Sequence, residues 1–317
     1  MTEPPPEPAG ANEPTEPFEP VEPTGLPALP ALLALLAGRR GLVIGVSGEN
    51  SVGYHCAKNF RRLGAEVAIS YRPHRAARGA ALAAELGCAL HLPLDWEDEQ
   101  SLTAGFRRVA DTWGHLDFVV HTLVHTPPGA LGHPLTELPR TAFDDALSTG
   151  AYSLVAAARH AAPLLERSDN PRIVTLSSAG DSFTLPNYHV LGITKAALNA
   201  TMRYLAYELG PRGILCNALS FSLLDTDGAV RALGTANTDR TRELLAGAAL
   251  TRTALAVDQV TTLIALLAGP WLQNTTGQVI TQDGGFSLNY LKAARGGRPR
   301  TTAGREPGPP PPDGRGA

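Results

Sequence analysis

Lysine is nearly absent from this chain. Lys58, Lys195 and Lys292 stand alone among 27 basic residues. Where arginine supplies almost every positive charge, a lysine kept at 195 points to a compact, titratable ammonium rather than to charge alone. Surplus positive charge is missing as well. The formal net charge is −3 over 317 residues, which excludes a nucleic-acid binder with a dominant basic stripe. Cysteines are few and odd in number: Cys56, Cys88 and Cys216, with no close metal-ligand pair. They read as small buried hydrophobes, and their sparseness suits a reducing, cytoplasmic setting. Long apolar runs are also lacking. The run "LPALPALLALLAG" (26–38) is too short to span a bilayer, and acidic residues precede it where a signal peptide needs a basic start.

What is present is a hydrophobic fraction of 43%, enough for a sizeable core. The ends differ from the middle. Six glutamates and no basic residue precede Gly25, so residues 1–38 are expected to be a disordered tail and linker. Residues 291–317, rich in Arg, Gly and Pro, are expected to be a second such tail. Between them lies one expected domain, 39–290. Its short apolar runs are "GLVIGV" (41–46), "EVAISY" (66–71), "CALHLPL" (88–94), "LDFVVHT" (116–122), "RIVTLSS" (172–178), "GILCNAL" (213–219) and "GQVITQDGG" (277–285). Helical stretches separate them, among them 52–63, 98–112, 141–166, 188–209 and 257–268. This alternation predicts an α/β fold, a single doubly wound parallel sheet with helices on both faces. Ligands in such sheets sit outside the carboxyl ends of the strands.

The first strand runs into "GVSGENSVGYHCAK" (45–58). A glycine-containing loop between a strand and a helix suits a dinucleotide. Gly45 permits the turn, Gly53 permits close backbone approach, and Ser51 is placed to donate to a phosphate. The second strand ends "ISYRPHR" (69–75), with Arg72 and Arg75 and no carboxylate. Arginine there suits a 2′-phosphate, so NADPH is expected ahead of NADH. The third strand ends "LPLDWED" (92–98). Asp95 is placed to accept from an adenine amino group and Trp96 to lie against the ring. A structural Trp96 and an N-cap role for Asp98 are equally natural.

The segment "SSAGDSFTLPNYHVLGITK" (177–195) carries the chemistry. Seven helical residues turn about 700°, within roughly 20° of two full turns. Tyr188 and Lys195 therefore share a face if both are helical. An ammonium near a phenol draws the tyrosine pKa down, and the same ammonium can hold a ribose. His121 and His125 read as packed or surface histidines. No metal-ligand spacing and no Gly-x-Ser-x-Gly elbow occur.

On these motifs the chain resembles the short-chain dehydrogenase/reductases, whose fold is of Rossmann type. Within that family "NYHVLGITKAALNATMRYLAYELGPRGILCNALS" (187–220) is similar to the divergent enoyl-acyl-carrier-protein reductases. Their Tyr-x6-Lys spacing replaces the Tyr-x3-Lys of ketoreductases. "VVHTLVHTP" (119–127), "STGAYSLVAAARHA" (148–161) and "GQVITQDGGFSL" (277–288) resemble the same subgroup. The resemblance implies Tyr188 as enolate stabiliser, Lys195 as ribose ligand, and further cofactor contacts at Val52, Thr122, the Leu224 backbone and Thr226. It also implies an acyl thioester substrate on acyl carrier protein or coenzyme A. A homotetramer built through the helices at 141–166 and 188–209 and the last strand belongs to the same expectation.

The chain departs from the subgroup at several places. Ser178 stands where many enoyl reductases carry a second tyrosine, and Thr184 occupies the alternative place. Counted from the strand, Ser178 matches the catalytic serine of ketoreductases. It polarises a carbonyl, binds substrate, or caps the strand. The usual Pro-Gly or Gly-Pro after the sixth strand is absent from "SFSLLDTDGA" (220–229), and Val124 stands where a small residue is preferred. Carbonyl reduction on the same fold therefore remains a second reading. A catalytically silent NADPH-binding sensor or scaffold is a third.

Overall fold

The computed structural model describes residues 35–288 except 128 and 234. The expected tails at 1–34 and 291–317 lie outside the described residues. Residues 35–38 form a turn ahead of the expected domain start, and Leu36 there is fully buried.

One sheet of seven parallel strands organises the chain: β1 (Arg40–Ile44), β2 (Glu66–Tyr71), β3 (His91–Pro93), β4 (Phe118–His121), β5 (Arg172–Ser178), β6 (Leu215–Phe221) and β7 (Val279–Gln282). The spatial order is β3-β2-β1-β4-β5-β6-β7. The order reverses between β1 and β4, where Ile44 sits beside both Ser70 and His121. A crevice opens at such a reversal, outside the carboxyl ends of the strands.

Successive strand residues face opposite layers, which explains their unbroken apolar runs. Leu42, Ile44, Val119 and Ile173 face one layer. It contains α3 (Glu99–Trp113), α5 (Ser153–Leu165) and α6 (His189–Leu209). Val43, Phe118, Val120 and Val174 face the other, with α1 (Val52–Arg62), α2 (Ala76–Leu86) and α9 (Val257–Ala268). Gly41 is needed here, because a Cβ on it would lie 1.9 Å from the Phe118 ring. Phe118 in turn meets Phe60 edge to face, with centroids 5.3 Å apart. The three cysteines are buried as expected, and burial raises their thiol pKa values, Cys88 to about 11 and Cys216 to about 12.

Two regions differ from the sequence expectation. The single helix expected at 141–166 is α4 (Arg140–Leu147), a wide five-residue turn (Ser148–Tyr152) and α5. Gly150 in that turn packs on α6, where a Cβ would come within 2.2 Å of Thr194 Cγ2. Such wide turns concentrate at functional sites. After β6, α7 (Asp227–Leu233) and α8 (Thr235–Ala248) occupy a stretch with little helical periodicity. Leu245 and Ala249 are buried there, while Leu244 is exposed.

Candidate active site

The cofactor end begins at Gly45, whose φ of +94° an L side chain rarely adopts. Its N–H and that of Val46 both donate to Ser70 O, at 3.2 and 2.9 Å, which bends the loop over β2. Ser51 then caps α1. Its Oγ accepts from Tyr54 N at 3.3 Å and donates to Gly48 O at 2.7 Å. The hydroxyl expected to meet a phosphate is thus engaged in shaping the loop. Gly53 is also needed by the protein itself, since a Cβ on it would lie 2.9 Å from Thr122 Oγ1. Thr122 donates that hydroxyl to Ile44 O at 2.7 Å. What the loop retains for an anion is backbone: the first turn of α1, from Val52 onward, carries no acidic residue.

Arg72 and Arg75 flank this loop. Arg72 Nη2 donates to Thr149 Oγ1 in the wide turn at 3.3 Å, and Arg75 Nη1 to Ser47 O at 3.1 Å. A third arginine, Arg78, was not anticipated; its Nη2 lies 3.0 Å from where a Gly48 Cβ would sit. Among the described residues none of the three forms an ion pair, so the cluster suits a phosphate-bearing cofactor.

Two expected cofactor contacts, Asp95 and Trp96, and one expected cap are engaged within the protein. Asp95 is exposed, and its Oδ1 accepts from Glu97 N at 3.1 Å, a local turn. Trp96 is buried within the core, its structural alternative. Asp98 caps α3 as expected, accepting from Gln100 N. Thr226 Oγ1 accepts from Ala229 N at 3.3 Å at the start of α7, and Leu224 is buried. Val124 is 45% exposed.

The chemical end lies where β5 passes into α6. Asn187 has φ +55°, a left-handed conformation that asparagine tolerates, and it presents Tyr188 at the N-cap, ahead of the first helical turn. The Tyr188 hydroxyl lies 2.9 Å from Ser178 Oγ. Its ring rests on Gly180, where a Cβ would approach Cδ1 to 2.4 Å. Lys195 is buried two turns into the helix and donates to Leu176 O at 2.6 Å. The expected Tyr188–Lys195 pairing therefore differs in form. Tyr188 stands outside the helix, its hydroxyl meets Ser178, and its pKa moves up rather than down. Burial is the main cause, Ser178 opposes it, and Asp181 reinforces it. Burial also lowers the Lys195 pKa to about 8, against the pull of Asp181.

His121 floors the site. Its Nε2 lies 2.8 Å from Ser153 Oγ and its Nδ1 3.0 Å from Thr175 Oγ1. Ser153 donates to Thr149 O at 2.6 Å, so it accepts from His121 Nε2–H. Burial and then Lys195 lower the His121 pKa to about 3. His125 is half-buried against Asp145 at 3.0 Å. Both fit the packed or surface role expected of them. Sequence reasoning missed Thr149, Asp181 and Asn199. Only Asn199 left a signal, since it follows Lys195 by four residues and shares its helix face.

The assembly has a loop for a dinucleotide and a hydroxyl pair at the end of the next strand but one. The family model described as enoyl-(acyl carrier protein) reductase matches residues 45–287. The chain belongs to that family. It is an oxidoreductase of the short-chain dehydrogenase/reductase type with a Rossmann-like fold. It is 33% identical over 260 residues to the enoyl-[acyl-carrier-protein] reductase [NADH] FabI of a Synechocystis strain, covering 80% of this chain and 97% of that one. Solved enoyl reductases share the architecture. The Anaplasma phagocytophilum enzyme in complex with NAD is 30% identical, with TM-score 0.75 over 80% of this chain and 95% of its own. The Bacillus cereus enzyme with NADP+ and an indole naphthyridinone is 28% identical, with TM-score 0.75 over 80% and 98%. Among the described residues no helix is long and apolar enough to cross a membrane.

Proposed function

We propose that this protein reduces the 2,3 double bond of an enoyl thioester, carried on acyl carrier protein or coenzyme A, with NADPH as reductant. Family membership supports the reaction class, which belongs to fatty acid biosynthesis. The observation that carries the mechanism is the Tyr188 hydroxyl, placed 2.9 Å from Ser178 Oγ at the carboxyl end of the sheet, where burial raises its pKa. A group that stabilises an enolate oxygen must keep its proton to donate it. NADPH, when bound, would supply the hydride for the β-carbon, and negative charge would develop on the thioester oxygen. The hydrogen bond from Tyr188 strengthens as that charge grows, so it acts on the transition state. The Lys195 ammonium would hold the nicotinamide ribose. Ser178 orients the Tyr188 hydroxyl from 2.9 Å.

NADPH rather than NADH is supported by Arg72 and Arg75 beside the phosphate loop, with no ion-pair partner among the described residues. The Synechocystis relative is named for NADH, and the Bacillus cereus structure contains NADP+. A homotetramer built through α4–α5, α6 and β7 is consistent with Tyr204 and Tyr207 of α6, which are 72% and 81% exposed.

One observation favours a second reading. A serine hydroxyl beside a tyrosine hydroxyl is also the pair a ketoreductase uses on a carbonyl oxygen. The two separate in one assay: purified protein with NADPH and a 2-enoyl thioester, and in parallel with a 3-oxoacyl thioester. Cofactor oxidation is expected with the enoyl compound. Oxidation with the 3-oxo compound alone overturns the proposal.

A further inference from the structure

Asp181 lies in the turn that joins β5 to α6 and belongs to none of the roles above. Its Oδ2 accepts from Ser177 Oγ at 2.8 Å and from Asn199 Nδ2 at 2.7 Å, and its Oδ1 from Ser182 Oγ at 2.6 Å. Ser177 belongs to the strand and Asn199 to the helix one turn beyond Lys195. The carboxylate therefore ties the end of β5 to the helix face that carries the lysine. The same turn supplies Gly180, on which the Tyr188 ring rests.

We infer that Asp181 is a positioning residue for this reductase, a fixed negative charge that Ser177 and Asn199 hold between the end of β5 and the helix face carrying Lys195. The inference rests on the reductase reading above.

Lys195 needs such a partner. It is 6% exposed, and the one hydrogen bond recorded for its ammonium goes to a neutral carbonyl, Leu176 O. An ammonium so placed loses its proton easily unless a negative charge stands near. Two ionisable groups interact with it: Asp181 from the turn and His121 from β4. His121 is neutral, so Asp181 is the negative one of the two. It acts on both partners in the same direction, opposing proton loss from Lys195 and from Tyr188. Ser177 and Asn199 hold the carboxylate in place, so its charge is preorganised rather than gathered at the moment of reaction.

The test compares wild type, Asp181→Asn and Asp181→Glu. Asparagine keeps the size and removes the charge; glutamate restores the charge. Binding of NADPH or NADH, whichever binds more tightly, is followed by nicotinamide fluorescence from about pH 6.5 to pH 9, with the melting temperature of each variant measured alongside. Wild-type affinity should weaken as Lys195 deprotonates. In Asp181→Asn that alkaline limb should move to lower pH by about one unit, and Asp181→Glu should return it toward wild type. A clamp without an electrostatic role would lower the melting temperature and leave the limb in place. Coincident limbs for wild type and Asp181→Asn, or a limb that Asp181→Glu does not recover, overturn the inference. The enoyl assay is read separately. Binding without enoyl reduction by wild type sinks the functional reading, while the binding limb still decides Asp181.

Discussion

The two ends of the crevice use their polar side chains in opposite ways. At the cofactor end, Ser51 and Thr122 donate their hydroxyls to the protein's own backbone, while Thr226 accepts from Ala229 N. The surface left for an anion is glycine backbone, a helix N-terminus, arginines and the Thr226 hydroxyl proton. At the chemical end the side chains face one another: Ser178 meets Tyr188, and Asp181 joins Ser177 to Asn199. The difference follows from what each end must do. A dinucleotide presents phosphates that any well-aimed N–H can hold. A developing enolate needs one proton donor at one place, and only a positioned side chain supplies it.

That contrast can be broken first at its chemical end. Replacing Tyr188 with Phe should lower kcat by about 10²–10³-fold while cofactor affinity holds; steady-state kinetics beside fluorescence titration measure both. Loss of affinity with unchanged kcat would mean the tyrosine belongs to the cofactor end instead.

His121 lies beneath both ends and should dominate acid sensitivity. Its pKa is lowered to about 3 by burial and by Lys195, against an unfolded value near 6.5. The unfolded chain therefore binds the extra proton between those values. Stability is full above about pH 6.5 and falls with decreasing pH, by up to about 1.4 kcal/mol per unit from this residue. Urea melts across that range should show the slope, and His121→Asn should flatten it.

Arg72 sharpens the cofactor end. Arg72→Gln should raise the Kd for NADPH about tenfold and leave that for NADH unchanged, because a lost charge-assisted bond to a phosphate is worth about 1.5 kcal/mol or more. Equal effects on both cofactors would refute a 2′-phosphate role. The smallest effect belongs to Ser51. Ser51→Ala should cost about 1 kcal/mol of stability through the lost cap, seen as a lower denaturant midpoint, with little change in affinity. A large loss of affinity would restore the phosphate-binding role expected from sequence.

The sheet was legible because both of its faces are covered, which writes each strand as an apolar run with helices between. All seven expected strands occur, with ends shifted by a few residues. Helices α7 and α8 were not legible, because little of that stretch packs on the core and its periodicity is weak. Trp96 was ambiguous for a related reason: a ring that packs in a core and a ring that stacks on adenine leave the same letter. The reactive residues were legible as types. Tyr188, Lys195 and Ser178 do gather at the end of β5, yet their pairing was not foreseen. The face-sharing argument assumed that Tyr188 is helical, and Asn187 at φ +55° places it before the helix instead.

By itself, then, the sequence determined the α/β alternation, the glycine loop, the arginine end of β2 and the residues that converge after β5. Each of these is a local pattern, set by periodicity or by short spacing along the chain. Only the tertiary structure decided which hydroxyls are already engaged, that Ser178 rather than Lys195 meets Tyr188, and that Asp181 joins Ser177 to Asn199. Those depend on burial and on contacts between elements, because a pKa or a hydrogen bond answers to neighbours in space.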